Sequence, residues 1–334
     1  MNRFWVLPAL SLAVMGSATS ASSIPSVAVE PPSAVPVPTA DAIAPNLADP
    51  STEILDLEEE RNRRLTVPVM VDGIGPFHFM IDTGSQATAV THQINEGLQL
   101  TPSGTATLVG MASRRPVNLV EVDSLSIGSH TISDLISPVL DRTNVGADGI
   151  IGLDSLQDFR VLIDFREETI AVQDITEVRN YRRGFEIIVR AREELGQLLI
   201  TDARIEGVSA IVIIDTGAQT SIGNLALQQR LRTKRAQEIV TTDVNGVELT
   251  GEVSFVRSLV IEDLELSNVP IAFADAPAFE ALGLNDTPVI SLGMQHLRIF
   301  DRVAIDFSRQ RVLFDVPRRV SRALRRDRQG FRGR

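Results

Sequence analysis

The feature that most narrows what this chain can fold into is an internal duplication. The stretch Phe79-Met80-Ile81-Asp82-Thr83-Gly84-Ser85-Gln86-Ala87-Thr88 runs from an apolar strand into a turn. Val212-Ile213-Ile214-Asp215-Thr216-Gly217-Ala218-Gln219-Thr220-Ser221 repeats it 133 residues later. A second pair of markers follows: Ile150-Ile151-Gly152-Leu153 precedes Ile163-Asp164-Phe165, and Ser291-Leu292-Gly293-Met294 precedes Ile305-Asp306-Phe307, at offsets of 141 and 142 residues. A near-constant offset marks a repeated structural unit, and the extra residues of the second copy read as a longer surface loop on a shared scaffold. The chain therefore divides into two similar lobes, roughly 64–175 and 184–317, joined by 176–183, which holds the only tyrosine, Tyr181.

Each unit is built of short apolar runs rich in Val and Ile and bounded by Gly, Asn and Asp, which is the pattern of strands. Leu65–Val71 and Phe77–Ile81 flank Asp72-Gly73-Ile74-Gly75, which has a hairpin-turn composition. Helical patterning is confined to Thr91–Leu98, Asn224–Gln237 and Pro277–Leu282. The expected fold class is all-β, with two lobes related by approximate two-fold symmetry and a site between them. Hydrophobic residues at 43% and charged residues at 22% suit a soluble globular chain and exclude a multi-span membrane protein. Cysteine is absent, which removes disulfides, thiolate chemistry and cysteine-ligated zinc.

The ends read differently from the body. Met1–Ala21 starts with Arg3, continues through the apolar run Phe4–Met15 and finishes in small residues, the pattern of a secretory leader. The expectation is an exported protein, periplasmic or secreted; a retained leader would anchor it at a membrane. Residues 22–52 hold seven prolines among Ala, Ser and Val and read as an extended tether. Residues 318–334 carry eight Arg against Asp327 alone, so the body is more acidic than the net charge of -11 suggests. An acidic body argues against a nucleic-acid groove, and the Arg-rich end reads as a solvated tail.

A carboxylate at the end of an apolar strand, followed by Thr and Gly, sits on a tight turn with little bulk around it. One copy is a common turn sequence. Two copies in equivalent frames, brought face to face by a two-fold relation, put Asp82 and Asp215 together. Two such carboxylates cannot both ionise cheaply, so they share a proton and supply an acid and a base at one site. The ionised member can take a proton from water while the protonated one donates to a carbonyl oxygen, without metal or covalent intermediate. His78, His92, His130 and His296 are scattered without zinc-ligand spacing and read as structural or surface residues. No cofactor and no metal site is expected.

On these residues the chain resembles the retropepsin-like branch of the aspartic peptidases, particularly its bacterial exported members, over nearly everything from Arg64 to Pro317. The resemblance implies closed, mostly antiparallel β lobes, with each catalytic turn braced by the apolar-Gly segment of its own lobe. It implies that Thr83 and Thr216 interlock across the lobe interface, and that Gly84 and Gly217 let backbone amides approach the carboxylates. It also implies a flap hairpin over the cleft in each lobe. Gly110 and Met111 in Leu108–Ala112, and Gly246 in Val244–Val247, are the corresponding tips, and neither holds the aromatic that pepsin-like flaps carry. Ser85 follows one turn where Ala218 follows the other, and its hydroxyl is expected to bond the outer oxygen of Asp82 and favour its ionisation. Ser291, standing where the first lobe has Ile150, is expected to loosen the bracing of Asp215. The implied function is endopeptidase action on an extended polypeptide by a monomer that is an internal pseudo-dimer. The competing readings are a catalytically silent module that holds a peptide or partner in the same cleft, and a site formed between chains.

Overall fold

The computed structural model describes residues 6–8, 12–13, 52–56, 58–59, 65–174, 185, 187–194, 197–231, 237–262 and 264–317. The tether expected at 22–52, except for Thr52, which opens the strand Thr52–Asp56, lies outside the described residues, as do the junction with Tyr181 and the Arg-rich end from 318. Of the leader segment, only the strands Val6–Pro8 and Leu12–Ala13 are described.

The architecture is mostly β, and each repeat closes on itself. In the first lobe Leu65–Val71 pairs with Ile74–Ile81, and from there the sheet runs through Gly149–Ile151, Ala89–Thr91, His130–Leu140 and Arg114–Ile127. Val69 then meets Ile127 and returns the sheet to its first strand, giving a closed barrel of six. The second lobe repeats the ring with Gln197–Ile205, Val208–Ile214, Val289–Leu292, Ile222–Gly223, Leu264–Phe273 and Glu248–Ile261, closed by Ala203 against Ile261. Closure leaves no free edge within either ring. Period-2 burial shows why these sequences take strand form: Val67, Val69 and Val71 are buried while Pro68 and Met70 between them are only partly covered.

The first hairpin turns on two residues, Asp72 and Gly73, both in the left-handed region at φ 50° and 74°. The second strand therefore begins at Ile74, three residues earlier than its composition suggests. Glu206 and Gly207 make the same turn in the second lobe. Two helices match the expected spans to within a residue, His92–Leu98 and Pro277–Ala281. The third is shorter than its pattern: Leu225–Arg230 is capped by Asn224, and Leu231 is already extended.

A third, antiparallel sheet joins the lobes, in the order 187–190, 311–315, 302–306, 159–164, 169–174 and 52–56. Its two central strands are the ones that carry the repeated Ile-Asp pairs, and they pair with each other, Val161 with Ile305 and Ile163 with Val303. One buried cluster runs from Val67 and Ile81 in the first barrel through Val161 and Ile305 to Val212 and Ile214 in the second. This shared sheet and core hold the barrels in a single orientation, with the ends of Ile74–Ile81 and Val208–Ile214 turned toward each other. Each lobe also extends a hairpin beyond its barrel, Pro102–Val109 with Arg114–Ile127 and Gln237–Asp243 with Glu248–Ile261. Residues 6–8 lie parallel to 107–109 on the outer edge of the first hairpin, and 12–13 lie antiparallel to 242–243 on the second.

Candidate active site

Asp82 and Asp215 stand one residue past the ends of equivalent strands, and both are buried. Each turn folds back onto its own carboxylate. The amides of Gly84 and Ser85 donate to Asp82 Oδ1 at 2.8 and 3.1 Å, and those of Gly217 and Ala218 donate to Asp215 Oδ1 at 3.1 and 2.9 Å. The apolar-Gly segment of the same lobe holds each turn from behind. Asp82 N donates to Ile151 O at 3.0 Å and Leu153 N to Ser85 O at 2.9 Å; Asp215 N donates to Leu292 O at 3.1 Å and Met294 N to Ala218 O at 2.8 Å.

The two turns lock across the lobe interface through their threonines. Thr83 Oγ1 donates to Ile214 O and Thr216 Oγ1 to Ile81 O, each at 2.7 Å. In return Thr216 N donates to Thr83 Oγ1 at 3.2 Å and Thr83 N to Thr216 Oγ1 at 3.1 Å. Each hydroxyl thus donates once and accepts once, which completes the pairing of four buried backbone groups. Gln197 adds a fifth tie, its Nε2 donating to Gly84 O of the other lobe at 2.7 Å.

Gly217 reports how closely the turns meet. A Cβ on this residue would lie 2.3 Å from Cγ of Asp82. The missing side chain therefore makes room for the opposite lobe's carboxylate, in addition to freeing the amide that serves Asp215. Burial, and then the charge of Asp82 nearby, push Asp215 well above the usual carboxylate range. The Ser291 hydroxyl and the amides of Ala218 and Gly217 pull the other way.

Two expectations are corrected at this point. The Ser85 hydroxyl donates to Ala87 O at 3.0 Å; only the backbone amide of Ser85 reaches Asp82. The side chain points along its own loop, because the turn that brings its amide to the carboxylate directs Cβ elsewhere. Ser291 does not loosen Asp215: its hydroxyl donates to Oδ2 at 2.7 Å and is itself buried.

The tips of the two long hairpins, expected as flaps, meet each other. Gly110 closes its turn by donating to Ser113 O at 2.8 Å, and Gly246, at φ 74°, donates to Asp243 O at 2.9 Å. Between them lies the buried carboxylate of Asp243. Its Oδ1 accepts from Asn245 N at 2.9 Å and Val247 N at 3.0 Å in its own turn. Its Oδ2 accepts from Ala112 N at 3.1 Å and Ser113 Oγ at 2.7 Å in the opposite flap. Asn245 Nδ2 donates to Ser113 Oγ at 2.9 Å. A Cβ on Gly110 would fall 2.4 Å from Asp243 Oδ2, so this glycine is required by the contact. Each tip also crosses over: Met111 packs into the second lobe's cluster with Leu199, Ile213 and Ala218, and Val244 packs into the first lobe's with Met80, Leu108 and Ile150.

Asp243, Gln197 and the true orientation of Ser291 are what the sequence did not reveal. Asp243 stands two residues before Asn245-Gly246 and reads as an ordinary turn former. His296, by contrast, is structural as expected. Its Nδ1 lies 2.6 Å from Ser221 Oγ, which also accepts from Gly293 N at 2.9 Å, and burial pushes the imidazole down to about 4. In the first lobe Thr88, with Asp154 and Ser155, receives the amide of Gly152 in the same way. Among the described residues no group of three or more His, Asp or Glu side chains is placed to hold a metal ion.

A family model described as aspartyl protease matches residues 67–155 and 201–296, so each matched segment contains one Asp-Thr-Gly turn and its bracing strand. No curated protein matches the chain.

Proposed function

Since the chain belongs to the aspartyl protease family, we propose that it is a single-chain aspartic endopeptidase whose dyad is Asp82 and Asp215. The observation that carries this reading is the reciprocal lock of Thr83 and Thr216, which, with Gly217 against Asp82, brings two buried carboxylates into one site. Brought together in this way, the pair shares one proton. The ionised carboxylate removes a proton from a water molecule as it adds to the scissile carbonyl carbon, and the protonated one donates to the carbonyl oxygen. A proton then passes to the departing amine, and the dyad returns to its starting state.

The proposed substrate is an extended polypeptide, because two hairpins that meet each other leave a folded domain no direct approach to the turns. The apolar clusters that surround the turns and flap tips favour apolar side chains on either side of the cut. In this reading the N-terminal leader carries the enzyme out of the cytoplasm, to periplasm or medium, and one chain suffices for activity. Sequencing the mature N-terminus after fractionation tests the export.

The deciding experiment incubates the protein with an unfolded polypeptide from acid to neutral pH, with and without pepstatin, beside Asp82→Asn and Asp215→Asn. Cleavage is expected to be blocked by pepstatin and lost in both variants. Cleavage that survives either substitution removes the dyad from the mechanism, and no cleavage by any form favours a peptide-holding module.

A further inference from the structure

The duplication supplies an internal comparison for one groove on the second lobe. This groove, of about 510 Å³, lies between the strand Leu264–Phe273 and the short helix Met294–Leu297 with the loop that follows it. Leu264, Val269, Phe300 and Val316, all buried, line it. Ile299, two residues past the helix, also lines it and is 43% exposed. Phe255 pairs with Pro270 of the groove, which puts both on one face of the sheet, and is 52% exposed. At the equivalent places the first lobe has exposed acids: Asp158 stands two residues past Leu153–Leu156, and Glu121 pairs with Ile136. Two positions that one lobe gives to charge are thus apolar in the other, which singles out the groove as a surface to be covered.

The chain itself supplies an occupant. Pro317, the last described residue, lines the groove, so residues 318–334 continue from its edge. Val320, Ala323 and Leu324 stand at i, i+3 and i+4, which puts three apolar side chains on one face of a helix, within about 11 Å of Pro317 along its axis. Arg318, Arg319, Arg322, Arg325 and Arg326 fall on the remaining faces of such a helix. The body offers acid beside the groove: Glu262 and Glu265 are exposed, within the sequence Glu262-Asp263-Leu264-Glu265. The neighbouring cations are already engaged, Arg298 lying over the Phe165 ring and Arg257 paired with Glu206.

We infer that the basic segment 318–326 docks as an amphipathic helix in this groove of its own chain, with Val320 and Leu324 against Ile299 and Phe255 and its arginines toward Glu262 and Glu265. None of these residues belongs to an Asp-Thr-Gly turn, so the docking stands independently of the peptidase reading.

Because the chain has no cysteine, Ser321→Cys gives a single site for a nitroxide on the full-length protein. Paramagnetic broadening of amide resonances is expected at Ser267, Asn268 and Ile299, severalfold greater than at Gln157 and Asp158 in the first lobe. Leu324→Asp, a change outside both barrels, is expected to abolish it, and so is Ile299→Asp, which gives the second lobe the residue of the first. High salt is expected to reduce it. No broadening in the labelled protein, or broadening that survives Leu324→Asp, overturns the inference. A mixture of nitroxide-labelled chains with unlabelled nitrogen-15 chains identifies the occupant: sharp groove resonances there support docking within one chain, and broadened ones assign the groove to the tail of a second copy and overturn it. A label that leaves the groove sharp and is immobilised by phosphatidylserine vesicles makes the tail a lipid-binding segment, which overturns the inference as well.

Discussion

Thr216 shows how much one buried hydroxyl can hold. Its oxygen donates to Ile81 O and accepts from Thr83 N, both in the other lobe. Thr216→Val keeps the shape and strands both backbone groups without partners, at a cost of about 2–4 kcal/mol, read as a lower urea midpoint. Gly217→Ala should act on function: with its Cβ directed at Asp82, the carboxylate must shift, and cleavage is expected to fall about a hundredfold or more with the chain still folded. His296 makes a prediction in pH. Its folded value near 4 lies below the ordinary 6.5, so between those limits the unfolded chain binds a proton that the folded one refuses. This contribution to stability is complete above about pH 6.5 and declines as pH falls toward 4, by roughly 3 kcal/mol in all. Replacing His296 with Ser, the residue at the matching place in the first lobe (Ser155), should flatten the slope of unfolding free energy across that window. An unchanged slope would assign the pH dependence elsewhere.

At the scale of elements, the two long hairpins are held to each other more firmly than the exposed ion pair that ties the first of them to the helix Pro277–Ala281 holds its own partners. Arg114 and Glu280 meet at 2.7 Å on the surface, where such a pair contributes under about 1 kcal/mol. Asp243 accepts four hydrogen bonds out of contact with water, two of them from the opposite flap, and charge-assisted bonds of that kind are individually stronger. Ser113→Ala removes one cross-flap donor and should speed amide exchange at Ala112, Asn245 and Val247 roughly ten- to hundredfold, while the barrel strands keep their protection. Equal exchange in the two proteins would mean that the roof is held by Met111 and Val244 alone. The duplicated strands, the hairpin tips and both Asp-Thr-Gly turns were legible in the sequence because their signals are local: alternation, Gly at a turn, a repeated tripeptide at a constant offset. The contacts that bind the halves were not. Ser85 is the nearer hydroxyl in sequence, whereas the hydroxyl that reaches a carboxylate, that of Ser291, arrives on another strand and at the other aspartate. Asp243 likewise carried a turn signature and no hint of the hairpin it would face.

The molecule as a whole has two rings but a main buried cluster common to both, running from Val67 through Ile305 to Val212, with a sheet whose middle strands come from different lobes. Thermal unfolding is therefore expected as one calorimetric transition with van't Hoff and calorimetric enthalpies in agreement. Two resolved transitions would show the halves to be independent. The joining sheet has a further consequence, which concerns inheritance. Were this architecture made from two identical copies, any change in one would be mirrored in the other, and a serine beside one aspartate would require a serine beside both. Fusing the copies into one polypeptide releases each from matching its twin. Ile150 and Ser291, or Ser155 and His296, can then part company, and the two halves come to differ at the very places where they meet.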